Sequence, residues 1–109
     1  MANSISTSEV KTIILACEAG MGSSLMTANS LKKKLKAAGI DDVTVVHKPA
    51  REVSADAKLI VVHKGLAKTV AGKAPNAVVV AFNHFLNDPA FDKVINAFVE
   101  KAEITGTEL

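Results

Sequence analysis

Tryptophan and tyrosine are absent from this chain of 109 residues, and phenylalanine occurs four times. Any core must therefore be aliphatic, built from Val, Ile, Leu and Ala around a few phenylalanines. Cysteine occurs once, as Cys17. A single thiol excludes an internal disulfide, a CxxC redox pair and a cysteine-rich zinc site, and it fits a reducing compartment. Arginine also occurs once, as Arg51. No apolar run approaches the roughly 20 residues of a membrane span. Met1 to Ser8 lacks the basic and apolar regions of a secretory signal, so the expected location is cytoplasmic. Charge of one sign is lacking too. With 13 basic and 11 acidic residues the net charge is +2, too balanced for a nucleic-acid binder. The cluster Lys32-Lys33-Lys34 with Lys36 is expected to be a solvated helix face.

What the chain does have is enough length and apolar content for one domain, able to bury roughly 65% of its unfolded surface. Residues 1–9 are expected to form a flexible polar lead-in, with the domain at 10–104. Four apolar runs recur: Thr12 to Ala16, Val43 to Val46, Leu59 to Val62 and Ala77 to Phe82. They are nearly continuous rather than alternating, as expected of strands buried on both faces. Helical patterns lie between them. Ser24 to Ala38 places Leu25, Ala28, Leu31, Leu35 and Ala38 on one stripe, with Gly39 as its left-handed terminator. Leu66 to Lys73 is a short helix closed by Ala74-Pro75. Pro89 to Ala102 begins with Asp88 as N-cap and Pro89 at the first helical position, with a stripe of Phe91, Val94, Ile95, Phe98, Val99 and Ala102. The segment Lys48 to Asp56 holds at most a turn of helix. The fold class is α/β: one small doubly wound domain, flavodoxin-like or a Rossmann-like half, with a four-stranded parallel sheet and helices on both faces.

Ligands of open α/β sheets bind beyond the carboxyl ends of the strands. Cys17 ends the first run there, and His47, His63 and His84 are each expected just past a strand end on the same rim. Three histidines and a thiol are ligand types for a metal, but their expected separation by one or more strands argues against a shared ion. No cofactor is expected. The loop after Cys17, Glu18-Ala19-Gly20-Met21-Gly22-Ser23-Ser24, is the stronger signal. Gly20 and Gly22 let successive N–H groups turn inward. Ser23 or Ser24 is expected to cap the next helix, whose amino end favours an anion. The same field favours thiolate, so the Cys17 pKa is expected below that of a free thiol. Met21 and Leu25 are candidates for an apolar contact surface with partners.

A tyrosine-phosphatase site needs an arginine six residues after its cysteine to clamp the phosphoryl group. Here that residue is Ser23, and Arg51 is distant in sequence. Storage and hand-over of a phosphoryl group therefore fit better than its hydrolysis. Cys17 to Ser24 closely resembles the phosphorylation loop of enzyme IIB of the bacterial phosphoenolpyruvate-dependent sugar phosphotransferase system, within the lactose/cellobiose-like fold group and most like the mannitol-type branch. The resemblance implies a sheet order 2-1-3-4, counting the four runs in sequence. It implies that Cys17 accepts a phosphoryl group from a phosphohistidine of enzyme IIA and passes it to a sugar or polyol held by the membrane enzyme IIC. Glu18 to Ser24 would cradle the phosphoryl oxygens. His63 and Lys64 are possible rim contacts, close to strand 1 in that order. No nucleic acid and no direct membrane insertion are implied. Where the mannitol branch usually reads His-Arg-Asp-Leu, this chain reads His63-Lys64-Gly65-Leu66, which leaves a related sugar open, since ammonium and guanidinium are not interchangeable. Two other readings are a regulatory docking module of the same fold and a small phosphatase.

Overall fold

A computed structural model describes residues 3–17, 22–83 and 89–107. The elements follow as β1 (Ser4–Ser6), β2 (Thr12–Cys17), α1 (Gly22–Ala37), β3 (Thr44–Pro49), β4 (Leu59–His63), α2 (Ala67–Lys73), β5 (Val78–Phe82), α3 (Pro89–Glu100) and β6 (Glu103–Thr105). Short 3-10 turns cover Thr7–Glu9, Ala50–Glu52 and Lys64–Leu66. The main sheet is parallel in the order β3-β2-β4-β5. That is the expected order of the four apolar runs. β2 therefore lies inside the sheet, with β3 and β4 as neighbours.

Each strand divides its side chains between two cores, because successive residues point to opposite faces. Ile13, Leu15, Val45, Leu59, Val61, Val78 and Val80 join Ala28, Leu31 and Leu35 of α1 and Phe91, Val94 and Phe98 of α3. Ile14, Ala16, Ile60, Val62 and Val79 join Ala50, Val53, Ala67, Val70 and Ala74 on the other face. Apolar side chains on both faces explain why the runs read as continuous. Burial of this kind contributes about 25 cal/mol per Å² of apolar surface removed from water.

Gly39 terminates α1 as expected. Its φ is +80°, and the Ile40 amide donates to the Leu35 carbonyl at 2.9 Å. This places the chain's turn at a residue without a Cβ penalty. α1 nevertheless runs from Gly22 to Ala37, so Ser23 and Ser24 lie in its first turn rather than at its cap. Ala38 is exposed and lies outside the stripe. α3 is shorter than its pattern. It stops at Glu100, where Lys101 takes φ 56° and the Phe98 carbonyl accepts from the Lys101 amide. Val99 is 51% exposed, and Ala102, beyond the end of the helix, is also exposed. Asp88 lies outside the described residues.

Residues 3–9 differ from the expected loose lead-in. β1 pairs antiparallel with β6 through Ser4↔Thr105, Ile5↔Ile104 and Ser6↔Glu103. Thr7 then donates its amide and its hydroxyl to the Ala102 carbonyl, at 3.2 and 2.9 Å. The two ends also cover the open edge of β5. The Thr107 amide donates to the Val79 carbonyl at 2.7 Å, and the Ala81 amide donates to Thr107 Oγ1 at 2.9 Å. An exposed parallel edge would otherwise present unpaired backbone groups. Gly106 is required for this approach: a Cβ there would stand 2.9 Å from the Val79 carbonyl oxygen. Gly106→Ala should therefore destabilise the domain by about 1–3 kcal/mol, read by chemical denaturation. An unchanged midpoint would show that the edge covering is loose.

Candidate phosphoryl-transfer site

The carboxyl rim of the sheet is built by the register around β2. Cys17 is the last residue of β2 and pairs with Pro49 of β3. Ala16 pairs with Lys48 on one side and Val62 on the other. One step further, His63 ends β4 at the level of Cys17, and it pairs with Phe82 of β5. The outermost row across the sheet is thus Pro49, Cys17, His63, Phe82. Proline is tolerated in that row because β3 is an edge strand, where a missing amide costs no ladder bond.

β2 then hands over to α1, whose first residue is Gly22. The backbone brings Cys17 and the amino end of α1 within five residues of each other, and α1 has no acidic residue in its first turn. A helix start of this kind favours an anion through its unpaired amides and its dipole. Glu18, Ala19, Gly20 and Met21 lie outside the described residues.

His63 is a well-braced rim residue. Its Nδ1 accepts from the Gly65 amide at 3.1 Å, so the ring caps the 3-10 turn Lys64–Leu66. It meets Phe82 edge-on, with centroids 5.7 Å apart, and Phe82 in turn meets Phe91 at 5.0 Å. Phe82 is 1% exposed, so His63 stands on the core itself. With Nδ1 accepting, the neutral ring carries its proton on Nε2. Nitrogen-detected NMR should accordingly find the Nε2–H tautomer, and the Nδ1–H form would overturn this arrangement. Gly65 is the natural companion: a Cβ there would lie 3.3 Å from His63 Nδ1. Glycine at this position thus leaves room for the ring as it stands. Lys64 is exposed beside it.

His47 does not reach the rim in the expected way. His47 lies inside β3, which extends to Pro49, and it pairs with Leu15 two residues below Cys17. It is exposed on the edge strand. β3 thus shares only Thr44 to Val46 with the second apolar run and continues three residues beyond it. His84 lies outside the described residues. Among the described residues no group of three His, Cys, Asp or Glu is placed to hold a metal, and no helix is long and apolar enough to cross a membrane.

Arg51 is the rim residue that sequence spacing does not find. It follows Pro49 by two positions, in the 3-10 turn Ala50–Glu52 at the end of β3. Since Pro49 pairs with Cys17, the chain's single arginine flanks the end of β2. The turn is anchored by Ala50 and Val53, at 8% and 6% exposure, while Arg51 is exposed. The cue in the sequence would have been the true end of the second strand, at Pro49 instead of Val46. Asp56 belongs elsewhere. It precedes β4 at the opposite edge of the sheet, where the Ser54 hydroxyl donates to its carboxylate and holds its pKa below the usual value.

The comparisons with known proteins agree with this architecture. Residues 12–97 match the family described as "PTS system, Lactose/Cellobiose specific IIB subunit". The chain is 40% identical over 88 residues to the PTS system mannitol-specific EIICB component of Staphylococcus saprophyticus, an overlap covering 81% of this chain and 17% of that protein. It is 39% identical over 84 residues to the component of the same name from Staphylococcus aureus strain COL, covering 77% of this chain and 16% of that protein. It is 37% identical over 98 residues to the PTS system mannitol-specific EIICBA component of Buchnera aphidicola, covering 90% of this chain and 16% of that protein. The chain therefore spans about a sixth of the length of these relatives. With its parallel sheet order, its rim cysteine and a match from Thr12 to Ala97, the chain belongs to the lactose/cellobiose-type IIB family of the sugar phosphotransferase system.

Proposed function

We propose that this domain is a phosphoryl carrier in sugar uptake and that Cys17 is its nucleophile. The observation that carries the reading is the place of Cys17: last residue of an inner strand, five residues before the amino end of α1, in a chain of the IIB family. The Cys17 thiolate attacks the phosphorus of a phosphohistidine on enzyme IIA. The S–P bond forms as the P–N bond breaks, and the imidazole nitrogen keeps the electron pair. In the second step a sugar hydroxyl attacks the same phosphorus: the O–P bond forms as the S–P bond breaks, the sulfur keeps the electron pair as thiolate, and the hydroxyl proton passes to solvent. Residues 18–24 supply backbone amides to the phosphoryl oxygens, with Ser23 and Ser24 adding hydroxyl donors. His63 and Lys64 border the site from the β4 side.

The acceptor is a polyol of the mannitol class, held by a membrane enzyme IIC. The names of the relatives support it: they are mannitol-specific components that join IIC and IIB, and in one case IIA, in a single protein. The domain works at the cytoplasmic face, beside IIC. Membranes carrying a mannitol IIC without its own IIB test this reading. Together with phosphorylated IIA, this protein should convert mannitol to its phosphate. Phosphorylation of Cys17 with no transfer to mannitol would move the acceptor to another sugar.

A further inference from the structure

The match to a phosphocysteine loop leaves the chain's only guanidinium unexplained. Three observations bear on it. The register pairs Cys17 with Pro49, and Arg51 is two residues further along the same chain. Paired strands are about 4.8 Å apart, and two residues span at most about 7 Å, so the two Cα atoms are within about 12 Å. Arg51 and a phosphorylated cysteine, extended toward each other, cover that distance. Second, the turn carrying Arg51 is fixed by buried Ala50 and Val53, so the backbone holds the residue at the rim at little further cost in chain entropy. Third, Arg51 is exposed and makes no ion pair or hydrogen bond among the described residues. The guanidinium is thus available to an anion on the rim. The basic groups around that rim come from both neighbours of β2. Arg51 stands on the β3 side, His63 and Lys64 on the β4 side, while Lys48 of β3 acts on Asp56. Glu52 is the acidic neighbour within the turn.

We infer that Arg51 is a phosphoryl-binding residue, supplying from the end of β3 the guanidinium that the cysteine loop itself lacks. A planar fork with fixed charge suits two phosphoryl oxygens better than a lysine does. Its place differs from that of a phosphatase arginine, which sits in the loop beneath the phosphoryl group. Binding from the flank holds the dianion without closing over it, so the group remains open to the incoming sugar hydroxyl. The inference rests on the carrier function proposed for Cys17, but one of its tests does not.

The first measurement needs no partner. The rate of Cys17 alkylation by iodoacetamide, followed against pH, gives the midpoint of thiolate formation. In low salt, Arg51→Gln should raise that midpoint by about half a unit or more relative to the wild type, because a nearby cation favours the thiolate. Arg51→Lys should recover most of the shift. Lys73→Gln, at the far end of α2, should leave it unchanged. High salt should shrink the difference between wild type and Arg51→Gln. The second measurement uses protein phosphorylated by IIA. The ³¹P signal of the phosphocysteine should titrate about one unit higher in Arg51→Gln, and the rate of phosphoryl transfer from IIA should fall about 10-fold or more. Here Arg51→Lys should recover only part of the loss, since an ammonium cannot form the fork. Identical alkylation and ³¹P midpoints in wild type and Arg51→Gln, with both proteins folded to the same melting temperature, would overturn the inference. Failure of wild-type protein to accept a phosphoryl group would instead overturn the carrier function, while the alkylation result would still decide where Arg51 acts.

Discussion

Cys17→Ser should abolish phosphoryl acceptance from phosphorylated IIA, lowering its rate by at least about 10³-fold with folding unchanged. At neutral pH a serine hydroxyl is almost wholly protonated, whereas a thiol already supplies some thiolate and is intrinsically a strong nucleophile. The helix start that follows should increase the thiolate fraction further. Serine retains the small size and a polar hydrogen, so the end of β2 and the entry to α1 should keep their form. A rapid-quench assay with labelled IIA measures the effect. A serine variant that accepts label at a rate near that of the wild type would remove the nucleophile assigned to Cys17. A melting temperature far below the wild type would instead assign the residue to packing.

The second large effect is on stability and reaches the site from below. Phe82 is 1% exposed, touches Phe91 at a centroid distance of 5.0 Å and supports the His63 ring edge-on at 5.7 Å. Phe82→Ala removes that contact and leaves a cavity at the rim of the core joined by α1 and α3. Loss of a buried phenylalanine of this kind costs about 3–5 kcal/mol. For a domain of this size each kcal/mol corresponds to roughly 4–8 °C in melting temperature, so the fall should be well above 10 °C. Phe82→Leu keeps most of the volume and should cost much less, while still removing the aromatic edge beneath His63. If Phe82→Ala melts within a few degrees of the wild type, the rim is not built on the core in the way the ring contacts indicate.

Much of the fold is legible in the sequence because the chief source of its stability, burial on both faces of a parallel sheet, leaves a direct mark there. The apolar runs at Thr12, Leu59 and Ala77 mark β2, β4 and β5 almost to the residue, since each is buried along nearly its whole length. β3 is legible only in part. It is an edge strand, so His47, Lys48 and Pro49 carry no apolar signal although their backbone is paired. A strand read as ending too early puts His47 on the rim and hides Arg51. β1 and β6 escape notice for a related reason: each has three residues, and among the six only Ile104 is well buried. Strands so short are fixed by long-range pairing, which no local pattern records. At the site, Cys17 and its glycine loop stand out because thiol, glycines and hydroxyls occur together over eight residues. The bracing of His63 by Gly65 and Phe82 depends on residues up to 19 positions apart and becomes visible only through the register of β4 with β5.

Cys17, and no histidine, should carry the phosphoryl group. This is tested most directly by incubating the wild-type protein with phosphorylated IIA, recording its ³¹P spectrum and locating the modification by peptide mass spectrometry. The predicted result is one phosphorus bonded to sulfur, on the peptide that contains Cys17. A P–N resonance with the modification on His47, His63 or His84, or a protein that remains unmodified beside fully charged IIA, would contradict it.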